Sequence, residues 1–136
     1  MTTVSLVVIT TDGVLVADGQ GLGSLFATRP PDTDLVLDAV RDAGILWVTG
    51  SALSEEPSRE ATLAALQARG RSGTTVLDLD YRPMFWPSRE EARPLVQQAL
   101  EHVTVAVGNL DECDTAVGER EPRAAAGELS MGMSHD

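Results

Sequence analysis

The sequence predicts an α/β domain: an incomplete parallel β-sheet with helices on its faces and a β-hairpin in front of it. Three observations lead there. Continuous apolar runs of strand length begin at residues 45, 74 and 103, a spacing of 29 residues each time. Helix-period segments with start and stop signals fill the intervals, which is the rhythm of successive βαβ units. The runs are apolar throughout rather than alternating, as strands covered on both faces are.

The elements follow in order. Val4 to Ile9 is apolar and β-branched, Thr11-Asp12-Gly13 turns the chain, and Val14 to Val16 resumes the pattern. Asp-Gly supplies the positive φ of a tight turn, so residues 4 to 17 are expected to form a hairpin. Gly19-Gln20-Gly21-Leu22-Gly23 and Arg29-Pro30-Pro31 then predict a loop from Asp18 to Asp34.

Asp34 caps a helix expected to run to about Ala43, with Gly44 as its stop. Ile45 to Thr49 is the first sheet strand. A helix from about Pro57 to Arg69 turns Ala61, Leu63, Ala65 and Leu66 inward and ends at Gly70. Thr74 to Asp78 is the second strand. Ser88 with Glu91 makes a capping box for the next helix, although Pro94 then falls in its second turn and predicts a restart or a kink. Val103 to Val107 is the third strand, and Asp111 to Val117 a short helix ended by Gly118. Residues 1–126 read as one domain. The small, polar residues beyond Glu119 are expected to fray, leaving 127–136 as a flexible tail.

Composition narrows the function. The 136 residues are enough for one domain with a real core, and a 43% hydrophobic share with 23% charged residues is that of a soluble globular protein. The net charge is −11. Such a field repels nucleic-acid phosphates and anionic lipid, so neither is an expected partner. All ten basic residues are arginine. Without lysine there is neither a P-loop nor a pyridoxal Schiff base. The single cysteine, Cys113, excludes an internal disulfide, and no Cys/His cluster has zinc spacing. The first residues lack a basic leader region and the first apolar run ends by Ile9, so a cytoplasmic location is expected.

In an open parallel sheet, ligands bind beyond the carboxyl ends of the strands. Those ends carry Thr49-Gly50-Ser51, then Asp78 to Arg82, then Gly108 to Glu112. Asp78, Asp80 and Arg82 place two carboxylates and a guanidinium within five residues. Such a set suits a polyol, a metal or an anionic group clamped by the arginine fork; it equally suits an internal ion pair that fixes a turn. Asn109-Leu110-Asp111-Glu112 reads either as a ligand motif or as a plain helix-capping box.

The run from Asp78 to Trp86 is similar to the D-x-N-x-R segment of ribokinase-like (PfkB) sugar kinases. It is nearest the 5-dehydro-2-deoxygluconokinases of myo-inositol breakdown, whose version reads Asp-x-Asp-Tyr-Arg followed by Pro and Trp. Asp80 stands where the wider family has asparagine, and Leu53 to Arg59 also resembles that subgroup. Asn109 and Glu112 match the family's N-x-x-E.

The resemblance extends from about residue 32 to 126 and implies a three-layer, ribokinase-like (Rossmann-like) sheet. It further implies an ATP-dependent kinase acting on a sugar acid, with Asp78, Asp80 and Arg82 toward the substrate. Asn109 and Glu112 would organise magnesium and water around the ATP phosphates without ligating the metal directly. The family's paired-glycine sugar segment and its G-A-G-D motif, the source of the anion hole and catalytic base, have no counterpart here. A truncated chain, inactive alone, is therefore expected.

Two rivals stand beside this reading. Val76 to Asp80 looks like the first motif of haloacid-dehalogenase-type phosphatases, with Asp78 as nucleophile and Asp80 as acid/base, though that family wants threonine or valine at Arg82. The other rival is a small non-catalytic α/β module that self-associates as a homo-oligomer through an exposed sheet edge at Val103 to Val107. Lesser signals have plainer readings. Gly19-x-Gly21-x-x-Ser24 resembles a dinucleotide fingerprint but reads as loop. His102 complements a helix dipole, Cys113 is filler, and Trp47 is core while Trp86 could stack on a sugar.

Overall fold

A computed structural model describes residues 6–10, 13–18, 21–26, 40–56, 58–71 and 73–133. Six strands form one mixed sheet: β1 (Leu6–Thr10), β2 (Gly13–Asp18), β3 (Gly21–Phe26), β4 (Ile45–Thr49), β5 (Thr74–Asp78) and β6 (Val105–Val107), in the order β3-β2-β1-β4-β5-β6. β1, β4, β5 and β6 run parallel to one another, as the 29-residue rhythm predicts for the last three. β1 and β2 form the expected antiparallel hairpin.

The hairpin is not a separate appendage. β1 pairs in parallel with β4, Leu6 opposite Ile45 and Ile9 opposite Val48, so it continues the sheet. The expected loop from Asp18 to Asp34 is also corrected in part: Gly21 to Phe26 is a third strand paired antiparallel with β2, its register shifting between Val14 and Leu15. Glycine weakens a strand in isolation, but here a formed neighbour supplies the hydrogen bonds. Gly21 and Ser24 therefore lie in a strand, not at the mouth of a helix. Most of the helix expected from Asp34 falls outside the described residues; its end, 40–42, is helical.

Four helices follow: α1 (Ser58–Arg69), α2 (Arg89–Leu100), α3 (Leu110–Val117) and α4 (Pro122–Met133). Pro94 neither restarts nor divides α2, which runs unbroken from its Ser88 cap. Proline removes one hydrogen bond, to the carbonyl of Glu90, and Glu90 is exposed, so water can take that carbonyl.

The expected flexible tail at 127–136 is corrected over most of its length, since α4 reaches Met133. Pro122 opens the helix, where a missing N–H costs nothing. The Glu121 carboxylate accepts the Ala124 N–H at 2.7 Å. Ala125, Leu129 and Met133, spaced by four, pack against the core. That packing outweighs the poor helix propensity of Gly127 and Gly132.

The core holds Leu46, Val48, Leu53, Leu66, Leu77, Leu100 and Val103, all fully buried. Each such side chain contributes about 1.5–3 kcal/mol of transfer free energy. Two expectations about the core need correction. The third strand is shorter than Val103 to Val107, and Val105 and Val107 are 40% and 45% exposed rather than covered on both faces. Trp47 is only partly buried, whereas Trp86 is 8% exposed and belongs to the core. No helix among the described residues is long and apolar enough to cross a membrane.

Candidate functional site

The carboxyl ends of β4, β5 and β6 converge on Leu79. This buried residue donates its N–H to the Val107 carbonyl at 2.8 Å, extending the β5–β6 ladder by one step. Gly50 and Gly108 approach it from the two neighbouring strands. A methyl group on Gly50 would overlap the Leu79 carbonyl oxygen, and one on Gly108 would lie 2.6 Å from Leu79 Cδ1. The two glycines thus permit three strand ends, and the residues that follow them, to crowd together.

Just beyond Leu79 the chain makes a strained turn. Asp80 has φ of 40°, the described non-glycine residue with positive φ. That conformation costs on the order of 1–3 kcal/mol and persists only where surroundings hold it. Three outside residues do so. The Ser51 hydroxyl lies 2.9 Å from both the Asp80 carbonyl oxygen and Oδ2, and shares its one proton between them. The Tyr81 N–H donates to Glu112 Oε2 at 3.0 Å. The Arg89 guanidinium sits over the Tyr81 ring, 5.4 Å from its centroid.

The five residues singled out in the sequence are therefore brought together. Asp80 Oδ1 accepts the Arg82 Nε–H at 3.0 Å, and the Arg82 side chain is 57% exposed. Asp78 lies behind them at the end of β5. Partial burial, reinforced by the negative charges of Asp80 and Glu112, raises its pKa above the ordinary aspartate value; hydrogen bonding from the Trp47 side chain and the Asp80 backbone opposes the rise. The hydrogen bond and charge of Asp80 hold the Arg82 guanidinium more firmly protonated than usual.

Asn109 and Glu112 form the full reciprocal cap of α3. Asn109 Oδ1 accepts the Glu112 N–H at 2.8 Å, and Glu112 Oε1 accepts the Asn109 N–H at 3.0 Å. With Tyr81 on Oε2, each Glu112 oxygen already accepts one N–H. Among the described residues no group of three or more His, Cys, Asp or Glu is arranged to hold a metal ion.

Other contributors gain their partners only through the fold. Ser51 lies on the expected strand-end edge, but its contact with Asp80, that of Trp47 with Asp78 and that of Arg89 with Tyr81 depend on tertiary structure. Arg89 also pairs with Asp111 at 2.5 Å and Asp114 at 2.8 Å, and Arg120 joins both carboxylates. The Arg89 and Arg120 hydrogen bonds lower the pKa of Asp111. Further along α2, Arg93 and Gln97 donate to the Asp114, Thr115 and Ala116 carbonyls, tying α2 to the end of α3. Cys113 is buried among these helices, and burial raises its pKa.

Residues 2–132 match the family model described as pfkB family carbohydrate kinase. The 5-dehydro-2-deoxygluconokinase of Geobacillus kaustophilus (strain HTA426) is 43% identical over 82 residues, 60% of this chain and 24% of that protein. The protein of the same name from Photobacterium profundum is 43% identical over 76 residues, 55% of this chain and 23% of its own length. This chain thus spans about a quarter of the length of the curated relatives it matches. Among solved structures, a PfkB protein from Polaromonas sp. JS666 has a TM-score of 0.65 at 18% identity, covering 96% of this chain and 45% of that one. A fructokinase from Xylella fastidiosa, solved with bound ATP, has a TM-score of 0.55 at 22% identity, covering 83% and 38%. These two share the fold.

Proposed function

This chain belongs to the pfkB family of carbohydrate kinases, and on that premise we propose that it forms the sugar-acid wall of a cytoplasmic, ATP-dependent kinase. The substrate to test first is 5-dehydro-2-deoxygluconate, the substrate class named by the relatives at 43% identity. One observation carries the reading. Arg82 is anchored through Nε alone, and its two terminal nitrogens have no hydrogen-bond partner among the described residues. A guanidinium held this way offers a planar, two-pronged donor face to a carboxylate.

The other residues take roles that follow from their partners. Asp80 has one oxygen on Arg82 and the other on Ser51, so it orients the guanidinium. Asp78 accepts from Trp47 and the Asp80 backbone and, with about four acceptor sites on its carboxylate, can take sugar hydroxyls as well. By the family resemblance Asn109 and Glu112 would lie toward the ATP phosphates, helping to organise the magnesium and water around them. Phosphoryl transfer depends chiefly on positioning and charge stabilisation. The family's base lies in a G-A-G-D run that these 136 residues do not contain. The chain therefore binds and orients, and is expected to show no phosphorylation by itself. The test is isothermal titration of 5-dehydro-2-deoxygluconate into the native chain and Arg82→Ala. Heat from the native chain only is expected; none from either overturns the reading.

The phosphatase alternative has less support, since both oxygens of Asp80, its acid/base, are engaged. A second reading, self-association, is favoured by one observation: edge strand β6 carries the exposed Val105 and Val107 and no charged residue. With a charge of −11 on each copy, sedimentation should show an oligomer that strengthens with salt. A monomer at all concentrations and salt levels rejects it.

A further inference from the structure

We infer that Glu112 is a positioning residue for the sugar-acid side of the site: it fixes the Tyr81 peptide and thereby aims Arg82. A helix cap alone would occupy one carboxylate oxygen. Here Oε1 closes the cap with Asn109, and Oε2 reaches across 31 residues of sequence to the Tyr81 N–H. Tyr81 lies between the positive-φ residue Asp80 and Arg82, so its peptide sets the direction in which the chain leaves the strained turn. Ser51 holds the turn from one side and Glu112 from the other; Arg82 projects from a loop pinned at both. The two motifs are thus one mechanical unit, joined by a carboxylate whose cap makes it rigid.

The inference rests on the sugar-acid reading only for what Arg82 is aimed at, so its test uses no ligand. Amide exchange, measured by NMR on the full chain, should show the Tyr81 and Asn109 N–H groups protected. Glu112 also acts on Arg82 through its charge, and the variants separate charge from hydrogen bonding. Glu112→Gln removes the charge and one accepting oxygen. Glu112→Asp keeps the charge but is one methylene too short to serve both N–H groups.

In both variants Tyr81 exchange should rise roughly tenfold or more, as loss of a hydrogen bond to a charged group implies. The Arg82 Nε–H signal should shift in both, while the sheet amides of Leu79 and Thr104 stay protected. Two results overturn the inference: unchanged Tyr81 exchange in the variants, or an Arg82 signal moved by Gln and not by Asp. If either variant fails to fold, rapid Tyr81 exchange in the native chain overturns it and slow exchange supports it. Failure of sugar binding in the Arg82→Ala titration leaves this result unaffected.

Discussion

Gly50 lies against the backbone of Leu79, where a Cβ would overlap the Leu79 carbonyl oxygen. Gly108 approaches the same residue, but a Cβ there would meet its side chain at 2.6 Å. The two contacts differ in kind because a side chain can turn away and a strand carbonyl cannot. Gly50→Ala should therefore cost about 3 kcal/mol or more, and Gly108→Ala about 1–2 kcal/mol, as for ordinary overpacking. Urea titration of the single and double variants checks this. Leu79→Ala should relieve much of the Gly108→Ala penalty and little of the Gly50→Ala penalty.

Arg69 is a buried clamp on the amino-terminal side of the sheet. Its guanidinium donates to the Val40 and Ala43 carbonyls at 2.7 Å, to the Thr74 carbonyl at 3.0 Å and to Thr75 Oγ1 at 2.8 Å. Burial lowers its pKa. Arg69→Met leaves several carbonyls without a donor and should cost about 3 kcal/mol, read as a lower denaturation midpoint at unchanged slope. Arg69→Lys, with one compact donor group, should recover only part of the loss.

Asp78 should make the protein less stable as pH rises. Its folded pKa is raised above the ordinary 3.8, so the native state holds the proton more tightly than the unfolded chain. The contribution is fully present below the ordinary value and is lost as pH climbs through the folded pKa. Asp78→Asn should accordingly raise Tm at pH 7 by a few degrees, with the advantage shrinking on acidification. Asp111 has the opposite sign: Arg89 and Arg120 lower its pKa, so its contribution is present at neutral pH and lost in acid. Scans of Asp78→Asn and Asp111→Asn from pH 3 to 7 should show opposed slopes.

The fork of Arg82, rather than its charge, should decide sugar-acid binding. Arg82→Lys keeps the charge and loses both the Asp80 anchor and the two-pronged face, so affinity should fall about tenfold or more. Asp80→Asn keeps an oxygen for one partner only and should weaken binding by a smaller factor. Titration of 5-dehydro-2-deoxygluconate ranks the three proteins; a Lys variant that binds like the native chain would make the contact purely electrostatic.

Ala125 seats α4. It is 1% exposed and meets the core with Leu129 and Met133. Ala125→Asp buries an unpaired carboxylate and should detach the helix, with loss of helical circular dichroism equivalent to about three turns and little change in the sheet. An unchanged spectrum would show that α4 holds by other contacts.

Local patterns in the sequence were enough to settle much of this protein. Strand length and spacing gave the parallel run β4-β5-β6, Asp-Gly gave the hairpin, Ser88 gave the start of α2, and Gly70 and Gly118 gave the ends of α1 and α3, the turn and cap signals because they depend on residues a few positions apart. The same logic placed Asp78, Asp80, Arg82, Asn109 and Glu112 on one edge. Tertiary structure alone decided the rest. β3 exists because β2 offers it hydrogen bonds, and α4 because the core accepts Ala125, Leu129 and Met133; neither is favoured by its own glycine-containing sequence. Arg69 reaches Val40 and Ser51 reaches Asp80 across 29 residues, Arg89 reaches Asp111 across 22, and Glu112 reaches Tyr81 across 31. Such pairings appear only after the strands have aligned, since a side chain's partner across the sheet is fixed by register and not by its neighbours in sequence.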